Sequence, residues 1–126
     1  MDEINLQAIF NEVQQYMSND WKQIAVYCAV LDNMHETKFY ADFGRGFIDC
    51  FDMGIDTDTL LNIFSNIEKP LMEQREQLPK KKRWSVFTMM VSNTGDVNAK
   101  FDYSDIRNRT IEYGMNWEKD VLKIKH

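Results

Sequence analysis

Two histidines, two cysteines and two prolines in 126 residues leave this chain short of the side chains that usually carry chemistry. His35 lies in the polar stretch "DNMHE", which reads as a hairpin connection, and His126 is the last residue. A nucleophile needs a base within hydrogen-bond reach, and neither histidine has a cysteine or serine placed by the local pattern to serve it. Cys28 and Cys50 lack the close spacing of a zinc or redox pair and read as reduced thiols packed as small hydrophobes. No apolar run approaches the ~20 residues of a membrane-spanning helix. The opening "MDEINLQAIF" is acidic and amphipathic, unlike a secretory signal, so the expected location is the cytoplasm. There is no repeat, low-complexity segment or linker, and residues 1–126 read as one domain.

What is present is apolar and acidic. Hydrophobic residues make up 44% and aromatics 13%, enough for a core built around large rings. Twenty acids against fifteen bases give a net charge of -5. General nucleic-acid binding draws its affinity from cations that replace counterions, so this balance disfavours it. The same field steers a basic partner inward.

Periodicity supplies the elements. Leu6, Ile9, Phe10, Val13 and Met17 mark one face of a first helix, with Asp2 and Glu3 at its positive end. "WKQIAVYCAVLD" predicts a strand apolar on both faces, hence central and covered. "TKFYADF" predicts a half-exposed strand with Lys38, Tyr40 and Asp42 on the polar side, and "FIDCFDM" a shorter third strand. A second helix follows, N-capped by Asp56 or Thr57, with Leu60, Ile63, Phe64, Ile67 and Leu71 as its buried stripe and a kink or break at Pro70. Residues 84–91, the turn "NTGD" and the alternation of Val97, Ala99, Phe101 and Tyr103 predict a hairpin with one covered face. Ser104 or Asp105 is placed to cap a helical tail that Gly114 divides, with Trp117, Val121 and Ile124 on the apolar side of its second piece. The expectation is α+β: an antiparallel sheet of four to five strands, an N-terminal helix, a long central helix and a C-terminal helical segment, the helices mainly on one face.

The segment "FGRGFIDCFDMGIDTDTL", residues 43–60, poses the functional question. Gly44-Arg45-Gly46 lacks both phosphate-loop spacings and precedes acids rather than a helix N-terminus, so it reads as a turn. Asp56 and Asp58 alternate as in a calcium loop, but the helix starts at once and no glutamate falls in place. Asp49 and Asp52 are an odd number apart and would face opposite sides of a strand, which spoils a shared acid/base site. From Asp42 to Asp58 there are five acids and one base. A solvated face explains them, and so does a negative patch matched to a basic partner. In the second reading Asp49, Asp52, Asp56 and Asp58 supply charge, and Phe47, Phe51 and Met53 supply anchors. The run Lys80–Arg83 before Trp84 offers an alternative, a nucleic-acid-binding module. A ligand cup with two convergent polar groups would instead mark a small enzyme.

Two longer stretches carry a resemblance. "NDWKQIAVYCAV" resembles the opening strand of the YezG-like immunity proteins, where a tryptophan precedes an apolar strand after an N-terminal helix. "RWSVFTMMVSNTGDVNAKFDYSD" is similar to that family's tryptophan-led strand, glycine-containing turn and second strand ending in Phe101-Asp102-Tyr103. Trp117, followed by Glu118 and Lys119, is similar to a tryptophan of its C-terminal segment. The resemblance implies a bacterial antitoxin whose partner is the C-terminal nuclease domain of a secreted toxin. It implies no catalytic residue, cofactor or metal, and no direct contact with nucleic acid or membrane. Residues 34–58 depart from the family pattern, and a contact surface that must discriminate among toxins is where divergence would fall. The oligomeric state is not set by the sequence.

Overall fold

The computed structural model describes residues 5–31 and 34–124. Asp2, Glu3 and His126 lie outside them, as do Asp32 and Asn33 of the expected hairpin connection. In chain order the elements are α1 (Leu6–Gln14), β1 (Gln23–Leu31), β2 (Met34–Asp42), β3 (Phe47–Asp49), α2 (Thr57–Glu76), β4 (Val86–Ser92), β5 (Val97–Asp102) and α3 (Thr110–Val121). Short 3-10 turns span Cys50–Asp52 and Lys80–Lys82. The five strands form one sheet in the order β3-β2-β1-β4-β5, every neighbouring pair antiparallel. Short connections join β2 to β3 and β4 to β5, and α2 carries the chain from the β3 edge to β4. The α+β expectation holds, with α3 added on the second face.

β1 is central because both of its sides are apolar. Ile24, Val26, Cys28 and Val30 face α1 and α2, and Ala25, Tyr27 and Ala29 face α3. All seven are at most 2% exposed. The first face holds the larger core, where Ile9, Val13, Phe39, Ile63, Ile67, Leu71, Trp84, Phe87 and Met89 meet. Each fully buried large aliphatic side chain there contributes roughly 1.5–3 kcal/mol of transfer free energy. On the second face Trp117 packs on Tyr27 and Tyr40, with ring centroids 4.8 and 5.5 Å away.

The helix ends follow local chemistry. Asn5 Oδ1 accepts the Ala8 N–H at 3.0 Å and caps α1. Asp56 rather than Thr57 caps α2, accepting the Thr59 N–H. Pro70 lies within α2 without ending it: one helix runs from Thr57 to Glu76. Its C-terminal turn is tied down by Arg75, whose Nε donates to the Trp84 carbonyl at 2.7 Å, and by Gln74, whose Oε1 accepts from Trp84 Nε1 at 2.9 Å.

Several expectations change. β2 begins at Met34, so His35 is a strand residue paired with Val30 rather than a turn residue. Tyr40 is not on a half-exposed face, because α3 covers it to 1% exposure. Gly114 does not divide the tail: α3 is continuous, and Gly114 is absent from the glycines with positive φ. Neither Ser104 nor Asp105 caps α3. Arg109 occupies the N-cap without a side-chain bond, and Asp105 instead accepts the Arg107 N–H in the preceding turn. The hairpin is covered less than its alternation suggests. β5 is an edge strand exposed from Val97 to Lys100, and Phe101 is its side chain in the core, 5.2 Å from the Trp84 ring.

Candidate functional site

The acidic segment forms the end of the sheet at the β3 edge and the entry to α2. Its first acid, Asp42, is engaged locally. The chain turns sharply at Gly44 and Gly46, both at positive φ, and their amides donate to Asp42 Oδ1 at 2.7 and 3.2 Å. This is turn chemistry, as the glycine spacing indicated. Asp49 caps the Cys50–Asp52 turn through the Phe51 N–H at 2.9 Å, and its other oxygen pairs with Lys38 Nζ at 2.5 Å. Asp56 is engaged as the α2 cap, and its bonds from Thr59 hold its carboxyl below the ordinary aspartate value.

Asp52 and Asp58 are the remaining pair. Both are exposed, and neither has a hydrogen-bond or ion-pair partner among the described residues. Of the four carboxylates, two are free to bond a partner, Asp56 keeps its charge while capping α2, and Asp49 is offset by Lys38. The proposed anchors divide likewise. Phe51 is 61% exposed, its ring 5.9 Å from Phe64. Phe47 and Met53 are half-buried against opposite cores. Sequence reasoning missed Ile48 and Leu61, which are 38% and 56% exposed. Leu61 lies three residues from both Asp58 and Phe64, which makes them neighbours on the surface of α2. A period-3.6 reading assigns such a residue to the solvated side, so an apolar residue there was the available signal.

A second site lay outside the acidic segment. Glu36, Lys38 and Tyr40 alternate along β2 on the face that α3 covers, and Tyr27 of β1 stands opposite Lys38 in the ladder. With α3 they enclose a half-open cleft of about 200 Å³. Lys38 reaches Asp49 on one side and lies 3.6 Å from Glu118 of α3 on the other. Tyr40 donates to Glu118 Oε2 at 2.8 Å. Burial and the Glu118 carboxylate push the Tyr40 phenol up, so it stays a donor. A larger, mainly apolar groove of about 450 Å³ lies between α1 and the β4–β5 turn, with Phe10, Trp21 and Val97 in its walls.

Other chemistry has little support. Burial pushes both free thiols up to about 12, so neither Cys28 nor Cys50 is a thiolate near neutrality. His35 Nδ1 sits 2.6 Å from Glu68 Oε2, joining β2 to α2 with no nucleophile bonded to either group. Among the described residues no three His, Cys, Asp or Glu side chains are disposed to hold a metal ion, and no helix is long and apolar enough to cross a membrane. The run at 80–83 does not present its aromatic: Trp84 is 0% exposed, and Arg83 donates to the carbonyls of Leu78 and Glu76. Bases cannot stack on a ring inside the core.

The structure gives the quoted landmark residues physical roles. Trp21 packs edge-on to Phe10 at 5.7 Å, Trp84 stacks with Phe101, and Asp102 accepts the Tyr113 hydroxyl that fastens α3 to the hairpin. The two tryptophans belong to the larger core, and the Asp102–Tyr113 bond ties the hairpin to the smaller one. Comparison with known proteins agrees. The family model described as "Immunity protein YezG-like" matches residues 3–125. The protein named Immunity protein YezG from Bacillus spizizenii is 21% identical over 110 residues, an alignment covering 79% of this chain and 67% of that protein.

Proposed function

The chain belongs to the YezG-like immunity protein family, and from that premise we propose that it neutralises a cognate nuclease toxin domain by tight stoichiometric binding in the cytoplasm of the producing cell. It acts as an inhibitor and performs no reaction of its own. The surface offered to the toxin is the β3 edge and the start of α2. The observation that carries this reading is the pairing of exposed, uncommitted carboxylates, Asp52 and Asp58, with the exposed apolar side chains Ile48, Phe51 and Leu61. A nuclease site is basic because it binds phosphates. An acidic surface steers toward it and raises the on-rate above the roughly 10⁵–10⁶ M⁻¹s⁻¹ of neutral pairs, while apolar anchors set the off-rate. Asp49 and Asp56 belong to the same surface but hold the backbone that presents it. The alternative nucleic-acid module is disfavoured by the burial of Trp84.

Co-expression with a candidate nuclease toxin domain, taken from a secreted protein found encoded beside this gene, tests the proposal. Asp52→Lys with Asp58→Lys should abolish growth protection while lowering thermal unfolding by only a few degrees, the loss of first-turn acids at helix N-termini, with the on-rate falling more steeply at low salt. Full protection by a folded double variant removes the acidic surface from the interface. No inhibition of that nuclease by the unaltered chain removes the function.

A further inference from the structure

We propose that the cleft between α3 and the β1–β2 face is a receptor for a guanidinium group, the arginine side chain of the basic partner. This rests on the proposed function for its occupant and adds a second contact to it.

Three observations converge on the cleft. Tyr27 is 2% exposed, yet its hydroxyl has no hydrogen-bond partner among the described residues. It points to the cleft wall, where a Cβ added at Gly114 would lie 3.8 Å from it. Among the described residues no sealed-off side-chain polar atom lacks a partner, so this oxygen is the part of Tyr27 that opens onto the cleft, where an entering group can bond it. The second observation is Glu36, an exposed carboxylate at the cleft with no ion-pair partner among the described residues. The third is Gly114 itself. A glycine in the middle of a helix is unfavourable, and here no positive φ requires it. What it provides is space: any longer side chain would project toward Tyr27.

The cleft's hydrogen-bonding character selects the ligand. Three of its donors are occupied: Lys38 by Asp49, the Tyr40 hydroxyl by Glu118, and Trp117 Nε1 by Thr88 Oγ1 at 2.9 Å. What remains open is the Glu36 carboxylate, which only accepts, and the Tyr27 and Thr110 hydroxyls, which can accept from an entering donor. Glu36, Glu118 and nearby Asp49 outnumber the single cation Lys38. An anion is repelled by that balance, and a neutral amide leaves Glu36 unpaired. A guanidinium carries only donors and bonds a carboxylate in a planar fork. The rim is apolar, with Ile111 79% and Met115 45% exposed. An arginine anchor ringed by apolar contacts is a common form of interface hot spot. The cleft is also continuous with the surface proposed above, since Lys38 lies 5.9 Å from the Phe51 ring centroid.

The test separates cleft from partner. In the free protein labelled with ¹⁵N, N-acetyl-arginine amide should give saturable shifts at Tyr27, Gly114 and the Trp117 indole, and N-acetyl-leucine amide none. Glu36→Gln should weaken that binding about tenfold, the loss of one charge-assisted bond. Gly114→Met, which fills the cleft, should abolish it. Gly114→Ala checks that the helix tolerates substitution. Absence of saturable shifts, or shifts indifferent to Glu36→Gln, overturns the site. The same Glu36→Gln protein should bind the toxin domain about tenfold more weakly. Unchanged toxin affinity alongside arginine-amide binding overturns the assignment of the cleft to the partner. Failure of the unaltered chain to inhibit the toxin refutes the immunity reading instead, and the titration on free protein does not depend on it.

Discussion

Gly114→Ala should make the protein more stable, and its sign tests the reading of α3. In the sequence Gly114 looks like a divider between two helical pieces, a role that needs the left-handed backbone in which alanine is strained. In the structure it is an interior residue of one helix with no positive φ. Alanine is then better than glycine by about 1 kcal/mol, through restricted unfolded-chain entropy and helix propensity. The added methyl meets Tyr27 Oη at 3.8 Å, an ordinary contact distance, so overpacking does not offset the gain. With a urea m-value of about 2 kcal/mol/M, typical for a small protein, the unfolding midpoint should rise by about 0.5 M. Thermal unfolding should shift upward by about 4 °C. Circular dichroism in urea reads the first and scanning calorimetry the second. A midpoint that falls would refute the continuous helix. It would also remove the claim that this glycine is retained for the space beside it.

Two further outcomes follow from buried and bonded groups. Asp102 accepts from Tyr113 and from Ser104, and these bonds hold its carboxyl below the ordinary value of 3.8. The stabilisation is fully present above that value and is lost as pH falls through the lowered one. Tyr113→Phe should therefore flatten the acid limb of a stability–pH profile measured below about pH 4, and an unchanged limb would count against the bond. Cys28 and Cys50 are 0% exposed, so Ellman's reagent should modify both only as the protein unfolds in urea. Rapid modification of the native protein would contradict their burial.

The elements that were legible in the sequence are those whose own residues decide them. β1 is apolar at both parities, which demands a cover on each face, and α1, α2 and α3 supply it. Asp56 could be read as a cap because a cap acts within three residues. What could not be read depends on distant chain. Lys38, Tyr40 and Asp42 alternate like a solvated strand face, and only the return of α3 about eighty residues later buries Tyr40 and pairs it with Glu118. The reverse error occurs at β5, where alternation suggested a covered face and no helix arrives over Val97 and Ala99. Period 2 identifies the strand, but not whether anything packs on it.

The same distinction governs the site. A count of acids from Asp42 to Asp58 overstates what a partner can bond, because Lys38 offsets the Asp49 charge and turn and cap geometry occupies oxygens of Asp42 and Asp56, which keep their charge. With only Asp52 and Asp58 free to form new bonds, specificity must come from shape and apolar contact as well. The exposed Ile48, Phe51 and Leu61 supply the contact, and the acceptor-lined cleft supplies a directional polar anchor. Lys38 links them, reaching Asp49 of β3 and Glu118 of α3 from a single strand. Its removal would leave Asp49 partly buried without its cation and remove the side chain that contacts both Phe51 and Glu118. Lys38→Met should therefore weaken toxin binding more than either Asp52→Asn or Asp58→Asn alone, since it disturbs both contacts at once. Calorimetric titration of the toxin domain against the three single variants ranks them, and a Lys38→Met affinity equal to that of the unaltered protein would show that the two surfaces act independently of it.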